Sequence, residues 1–553
     1  MTRIGRPYRS AAAVLALTLF VLASAGGLDA GSAGARLVAG AQGAGGARLV
    51  AGARLVAGTR LGGGARLVDS ARLVAGARLA AISPPAGTAV TVGGATGARA
   101  IPAGFVGLSM EYRAVESYAG QDPQALDPVF EQLVRNLAPG QQPVLRIGGD
   151  STDWTWWPVA HMLRPPGVKY ALTERWLQVT NALSAALDAK LILGINLEAD
   201  STRLAAVEAR ELVGGIGQRS IEALELGTEP ELYGAFGWYT PKGGRPVHGR
   251  PRGYDIESFT RDFSRLAPVL PGLPLAGPTT GAPAWVSGLK PFLDAEPRVR
   301  VATLHLYPLQ HCGVKHSSPM YPTIPHLLLP SSTQGLAQRV ARYVAIAHAR
   351  GVALRIDEMN SVSCGATPSV SQTFAASLWS VNALFALARV GVDGVNIHTY
   401  PGVKHELFRF TDTGHTWKGL VDPEYYGMLM FAQAAPTGSR LLSLGGSAGA
   451  HVDTWATRAP NGQIRVVLIN DSMGRRAVTV RVPAASGVAT LERLQAPSVH
   501  ARTGVTLGGQ TFGATTTTGQ LAAPVPDSVT PTGAGYPVSL PATSAAMLTL
   551  APN

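Results

Sequence analysis

Charge is the first thing this chain has little of. Asp, Glu, Lys and Arg together make up 15% of its 553 residues, against 46% hydrophobic ones, which excludes a charged disordered polymer and leaves room for a large core and more than one domain. Acidic residues are the scarcer sign, and the formal net charge is +12. That excess is not spread over the body. Residues 1–80 hold ten arginines and two aspartates, so eight of the twelve charges sit in the N-terminal leader and only four remain for the rest. A nucleic-acid footprint belongs on the folded body as a basic patch, and none is legible there. Cysteine is nearly absent, with only Cys312 and Cys364. No His/Cys/Asp spacing makes a metal site, so no metal and no cofactor is expected. After the first 25 residues no apolar run is long enough to cross a bilayer.

The leader has its own logic. Arg3, Arg6 and Arg9 precede an apolar run from Ala11 to Leu22 and then Ala23-Ser24-Ala25. A charged head, a short apolar stretch and an Ala-x-Ala end read as an export signal cleaved near Ala25, and hence as a secreted protein without stable membrane insertion. Residues 26–84 repeat a hexapeptide, ARLVAG at Ala35–Gly40, Ala47–Gly52, Ala53–Gly58 and Ala71–Gly76. Six residues match helical periodicity poorly and each copy carries a glycine, so the stretch reads as a disordered basic leader. A repeat expansion with no role is favoured over a tether to an anionic matrix.

From residue 85 to 436 one unit recurs: an apolar strand, a polar tip, a helical stretch. Eight strands are expected, at Gly104–Met110, Val144–Ile147, Leu191–Ile195, Ile221–Leu226, Leu273–Ala276, Val301–Leu304, Leu354–Ile356 and Gly394–Ile397. Helical spacing between them is expected at Asp127–Leu137, Thr173–Leu187, Tyr254–Leu266, Thr333–Ala349 and Val370–Ala388. The fold class is therefore α/β, a (β/α)8 barrel, whose active site lies at the C-terminal strand ends. A doubly wound sheet is the competitor, but its glycine fingerprint is missing after the first strand. From residue 437 to 553 the pattern becomes short β-rich runs separated by turns, an all-β sandwich, to which Ala89–Val92 could add a strand. Asn470-Asp471-Ser472 is a glycosylation sequon.

Two tips carry carboxylates after buried strands: Glu229 after the fourth and Glu358 after the seventh. Opposed carboxyls are what glycosidic cleavage requires, one to protonate the leaving oxygen and one to attack or stabilise the sugar cation. The other tips supply Glu111, Asp150, His305, Tyr307 and His398, and Asn360 follows the second acid. Trp154, Trp156 and Trp157 follow strand two and read as local core rather than a sugar platform.

The stretches ELGTEPELY (225–233), LRIDEMNSVSCG (354–365), VLRIGGDSTDW (144–154) and TLHLYP (303–308) resemble the heparanase and β-glucuronidase family, glycoside hydrolase family 79. The resemblance covers most of residues 100–440, and a C-terminal β module fits that family's architecture. It implies Glu229 as acid/base and Glu358 as nucleophile of a retaining mechanism, with Glu358 ionised and Glu229 holding the proton. Tyr307 would orient Glu358, and Glu111 would accept hydrogen bonds from sugar hydroxyls. His305 would line the pocket or satisfy a core hydrogen bond, the latter being favoured. The loop Ser361–Gly365 would hold a uronic carboxylate, with Gly365 allowing close backbone approach. Two positions depart from the family: Thr228 stands where it has Asn, and Ser363 where a relative has Tyr. Asp150, Thr228, His305, Asn360, Gly365 and His398 complete the expected sugar-contacting set. Cys312 and Cys364 follow neighbouring strands six and seven, so a disulfide is geometrically reasonable, with two free thiols as the alternative. The expected partner is a carbohydrate, a glucuronide or uronic-acid polysaccharide; a neutral β-glycoside, or a glycan-binding protein without catalysis, are the alternatives.

Overall fold

The computed structural model describes residues 88–414, 416–483 and 485–552. The export signal and the hexapeptide leader lie outside the described residues. Eight parallel strands close into a barrel: β1 Val106–Glu111, β2 Val144–Gly148, β3 Lys190–Ile195, β4 Ile221–Leu226, β5 Leu275–Thr280, β6 Val299–Leu306, β7 Ala353–Met359 and β8 Gly394–His398. They are buried almost end to end, as expected of strands covered by helices outside and by packed side chains inside. Arg355 and Asn396 fill part of the interior floor, with Arg355 donating to the Asn396 side chain at 2.8 Å and to the Gly104 carbonyl at 2.9 Å.

The helices start where the sequence offers a cap. Asp127, Thr173 and Asp255 accept from first-turn N–H groups of Pro128–Leu137, Glu174–Leu187 and Ile256–Leu266. Ser201 does the same for Thr202–Ile216, a helix between β3 and β4 that the periodicity reading passed over. The expected helix at 370–388 is broken into Pro368–Ser371 and Phe374–Arg389. The latter is buried all round, because Pro423–Ala434 and the β domain cover the face that would otherwise meet solvent.

Two register shifts matter. In β7 the pairing with β6 jumps from Ile356↔Leu304 to Glu358↔His305, leaving Asp357 as an extra residue. In β5 a shift falls between Pro278 and Thr280, at Thr279, whose φ is +53°. Such bulges re-aim side chains at strand ends.

The C-terminal region is a β sandwich over Val466, Leu468, Val478, Val480, Tyr536 and Leu548. The strand Ala89–Ala95 belongs to it, paired antiparallel with Arg440–Ser447 and parallel with Arg476–Arg481, so the barrel proper begins at β1. The sandwich is continuous with the barrel's core. Trp455 stacks on Phe385 with ring centroids 5.5 Å apart and donates to Asn382 at 2.9 Å. The carbonyls of Val499 and Ala501 accept from the N–H groups of Ala375 and Phe374, satisfying donors that a helix start leaves free. The sequon is closed: Asn470 is fully buried and its amide donates to the carbonyls of Gly474 and Pro541. Among the described residues no helix is long and apolar enough to cross a membrane.

Candidate active site

The tips of β4 and β7 face each other across the barrel mouth. Glu229 follows β4 through Gly227 and Thr228, in a left-handed conformation (φ +42°, ψ +54°) that a glutamate adopts only where its surroundings dictate it. Its N–H donates to the Thr279 carbonyl at 2.9 Å, tying it to the bulge of β5. Glu358 sits inside the bulged end of β7. One oxygen of Glu229, one of Glu358 and one ring nitrogen of His305 all lie within 4.8 Å of one another.

Glu358 is the more tightly held. The Tyr307 hydroxyl donates to its Oε1 at 2.9 Å and Arg146 Nη1 to its Oε2 at 2.8 Å. His305 Nδ1 stands 3.9 Å from one oxygen and His398 Nδ1 3.8 Å from the other. Burial alone would raise this carboxyl, but the charges of His398, His305 and Arg146 and the Tyr307 hydrogen bond hold it well below the usual carboxylate range.

His305 does more than satisfy a core hydrogen bond, which corrects the favoured expectation. Its Nδ1 is 2.9 Å from Glu229 Oε1, and its Nε2 is 3.0 Å from Thr279 Oγ1 and 3.5 Å from Asp357 Oδ2. Burial opposes its charge, but Glu358, Asp357 and Glu229 around it raise its pKa well above the ordinary value. Glu229, His305 and Glu358 each offer one ligand atom at a spacing that could hold an ion.

Glu111, at the end of β1, accepts from the Ser151 N–H at 2.8 Å and lies 3.6 Å from His398 Nε2. His398 Nδ1 is 3.0 Å from Ser109 Oγ. Asp150 is open to the cleft; the withdrawal of bulk water there and the charges of Glu111, Glu229 and Glu358 push its carboxyl up to about 7. Thr228 is buried with its Oγ1 3.3 Å from Arg146 Nη2. Gly365 lies exposed at φ +80° in the loop after β7. Cys312 and Cys364 form a disulfide, with Cα atoms 5.8 Å apart, that joins this loop to the one after β6. Asn360 does not reach the cleft. It is fully buried, its amide donates to the carbonyls of His398 and His405, and its oxygen accepts from Ser361; it braces the end of β7 and is withdrawn from the sugar-contacting set.

Trp156 is buried against Val159, Val168 and Leu204, as local core, while the Lys169 ammonium lies 3.3 Å above the Trp154 ring.

Three residues here carried no sequence expectation of a role. Arg146 is fully buried and joins Glu225 (2.8 Å) to Glu358 (2.8 Å). Its position on strand two, one residue short of the Gly148-Gly149 tip, was the available signal. Asp153 accepts from the N–H groups of Leu197, Glu198 and Thr228 and from the Tyr233 hydroxyl at 2.6 Å, fastening the ends of β3 and β4 together. Asp357 shares the inward face of Arg355, two residues before it, and the bulge lets Glu358 face inward beside it, which no sequence pattern announces.

Comparison with known proteins agrees with this architecture. Residues 454–547 match the family model described as the Glycosyl hydrolase family 79 C-terminal beta domain, so the resemblance to that family holds over the sandwich. The fold is similar to that of a 4-O-α-L-rhamnosyl-β-D-glucuronidase from Fusarium oxysporum 12S (19% identity, TM-score 0.64, covering 84% of this chain and 100% of that one). It is also similar to a family 51 arabinofuranosidase from Xanthomonas axonopodis pv. citri (17%, 0.58, 84% and 100%) and an α-L-arabinofuranosidase from Thermotoga maritima (13%, 0.57, 84% and 99%). No curated protein sequence matches the chain.

Proposed function

We propose that this chain is a secreted, retaining glycoside hydrolase of the family 79 type that cleaves β-glucuronides by double displacement. The observation that carries the reading is the approach of Glu229 and Glu358 to within 4.8 Å, because retention needs carboxyls about 5–5.5 Å apart while inversion leaves roughly 6.5–9.5 Å for a water.

In the first step a Glu358 oxygen attacks the anomeric carbon as the bond to the leaving oxygen breaks, and Glu229 gives that oxygen its proton. In the second, Glu229 takes a proton from water, the water oxygen attacks the same carbon, and the ester to Glu358 breaks. Tyr307 and Arg146 aim the nucleophile; His305 holds Glu229 by one oxygen and leaves the other for the proton. Glu111, Asp150, Thr228 and His398 surround the sugar, and the disulfide-braced loop around Ser363 and Gly365 receives the carboxylate. The glucuronide preference is supported by the resemblance of the site motifs and by the substrate of the Fusarium enzyme. Export is supported by the basic-apolar-Ala-x-Ala leader and is compatible with the disulfide.

One observation favours a second reading, a neutral β-glycoside as substrate. Asp150 brings a further carboxyl to the cleft, which opposes a uronate wherever it is ionised. Initial rates on aryl β-glucuronide and aryl β-glucoside separate the two: hydrolysis of the glucuronide supports the first, hydrolysis of the glucoside alone the second. No turnover of either, with no covalent label on Glu358, would remove the enzyme reading.

A further inference from the structure

Beneath the catalytic pair lies a second pair of acids from the same two strands. Glu225 is four residues before Glu229, and Asp357 is one before Glu358. Neighbouring residues of a regular strand point to opposite faces, so Asp357 and Glu358 could not both face the barrel axis. The bulge at Asp357 removes that restriction, and both reach Arg146, Asp357 at 3.6 Å and Glu358 at 2.8 Å. Glu225 and Asp357 are both fully buried, and their carboxyls converge on the same Arg146 Nε, at 2.8 Å and 3.6 Å. Arg146 Nε donates to Glu225 Oε2 at 2.8 Å, but Glu225 Oε1 and both Asp357 oxygens make no hydrogen bond among the described residues; the cations nearest Asp357 Oδ2, His305 Nε2 at 3.5 Å and Arg146 Nε at 3.6 Å, stand beyond that reach. Two ionised carboxylates in that position would leave three buried acceptors empty, an arrangement native interiors avoid. A proton between the two acids supplies the missing donor.

We propose that Glu225 and Asp357 share a single proton and act as a positioning pair, which keeps one net negative charge below the active site and so leaves Arg146 committed to Glu358 and His305 committed to Glu229. Burial, followed by the charge of Asp357, pushes the Glu225 carboxyl up to about 8, which fits a pair that retains its proton at neutral pH. The charged and titratable groups facing it are Arg146 from β2, Arg355 and Glu358 from β7, His305 from β6 and the Tyr112 phenol beyond β1, with Thr279 of β5 as an uncharged neighbour. Loss of the shared proton would draw Arg146 Nε and His305 Nε2 toward the pair and away from the two catalytic acids.

The test is a double-variant cycle read by stability. A carboxyl with a raised folded pKa keeps its proton while the unfolded chain loses it near pH 4.3, so the folded state binds one proton more between roughly pH 5 and 8 and the folding constant falls tenfold per pH unit for that group. In Glu225→Gln and in Asp357→Asn the remaining acid is ionised against Arg146 and an amide donor. Each variant should therefore flatten the fall of chemical-denaturation stability with pH by the same one proton, and the double variant should flatten it by no more than either. Additive flattening, or no change in either variant, would overturn the shared proton. If one variant does not fold, the other, compared with the wild type, still decides. This arm needs no substrate, so its failure is separate from that of the glycosidase reading, on which only the positioning arm rests. There Asp357→Asn should lower kcat/KM about tenfold through kcat, with KM held, and move its alkaline limb; an unmoved limb with both parameters intact would reduce the pair to a structural role.

Discussion

Glu229 and Glu358 are the same residue at the same kind of place, the end of a buried barrel strand, and the protein treats them differently. Glu229 stands on a left-handed turn with its side chain 25% exposed and one close cationic neighbour, His305. Glu358 stands on a bulged strand with its side chain 10% exposed, held by Arg146 and Tyr307 and flanked by two histidines. The second environment favours an anion and fixes its aim; the first leaves one oxygen free of the His305 contact. The difference between roles comes from what surrounds each acid and not from the acids themselves.

The largest expected effect breaks the anion. Glu358→Gln should reduce kcat/KM on an activated aryl glycoside by on the order of 10^4-fold, measured by steady-state rates, since no nucleophile replaces it. Glu229→Gln should cost about 10²–10⁴-fold on a sugar with a poor leaving group and much less in the first step with a dinitrophenyl group, which departs without a proton. If both leaving groups suffered equally, the two acids would not differ as described. Tyr307→Phe removes one charge-assisted hydrogen bond and should lower kcat roughly tenfold while leaving the stability curve nearly in place. Cys364→Ser should lower stability by about 2–4 kcal/mol in denaturant titrations and raise KM a few-fold, because the loop after β7 loses its tie to the loop after β6.

The smallest effect concerns Asp150. As pH falls through about 7 its carboxyl takes up a proton and the cleft loses a negative charge, so KM for an anionic glucuronide should fall while KM for a neutral glycoside changes little. Asp150→Asn should make the glucuronide KM flat across that range. A KM that rises on acidification would reverse the sign assigned to Asp150.

Much of this was legible in the residues. Apolar runs ending on polar tips give the eight strands, and the alternation with capped helices gives the barrel. Glu229 and Glu358 stand out because one acid at a strand end reads as a cap or a salt bridge while two on facing strands are harder to dismiss; the role of Tyr307 came from the family resemblance, since a lone tyrosine reads equally as a packed aromatic. What was not legible depends on backbone irregularity. The bulge in β7 brings Glu358 to the inward face beside Asp357, which a period of two does not give, and the hydrogen bonds that bury Asn360 away from the cleft are not legible from spacing. The helix Thr202–Ile216 was missed because its two adjacent glycines and mixed polarity blur the helical spacing, although Ser201 is an ordinary cap. Ala89–Ala95 could be read as a strand, but its partners, some 350 residues away, could not.

The central claim is that Glu358 attacks the sugar. A fluorinated, mechanism-based aryl glycoside, followed by intact-mass analysis and peptide mapping, tests it most directly. The account predicts one glycosyl adduct per chain, on Glu358, and none in Glu358→Gln. An adduct on another carboxylate, or turnover of the reagent with no covalent species at any time, would contradict it.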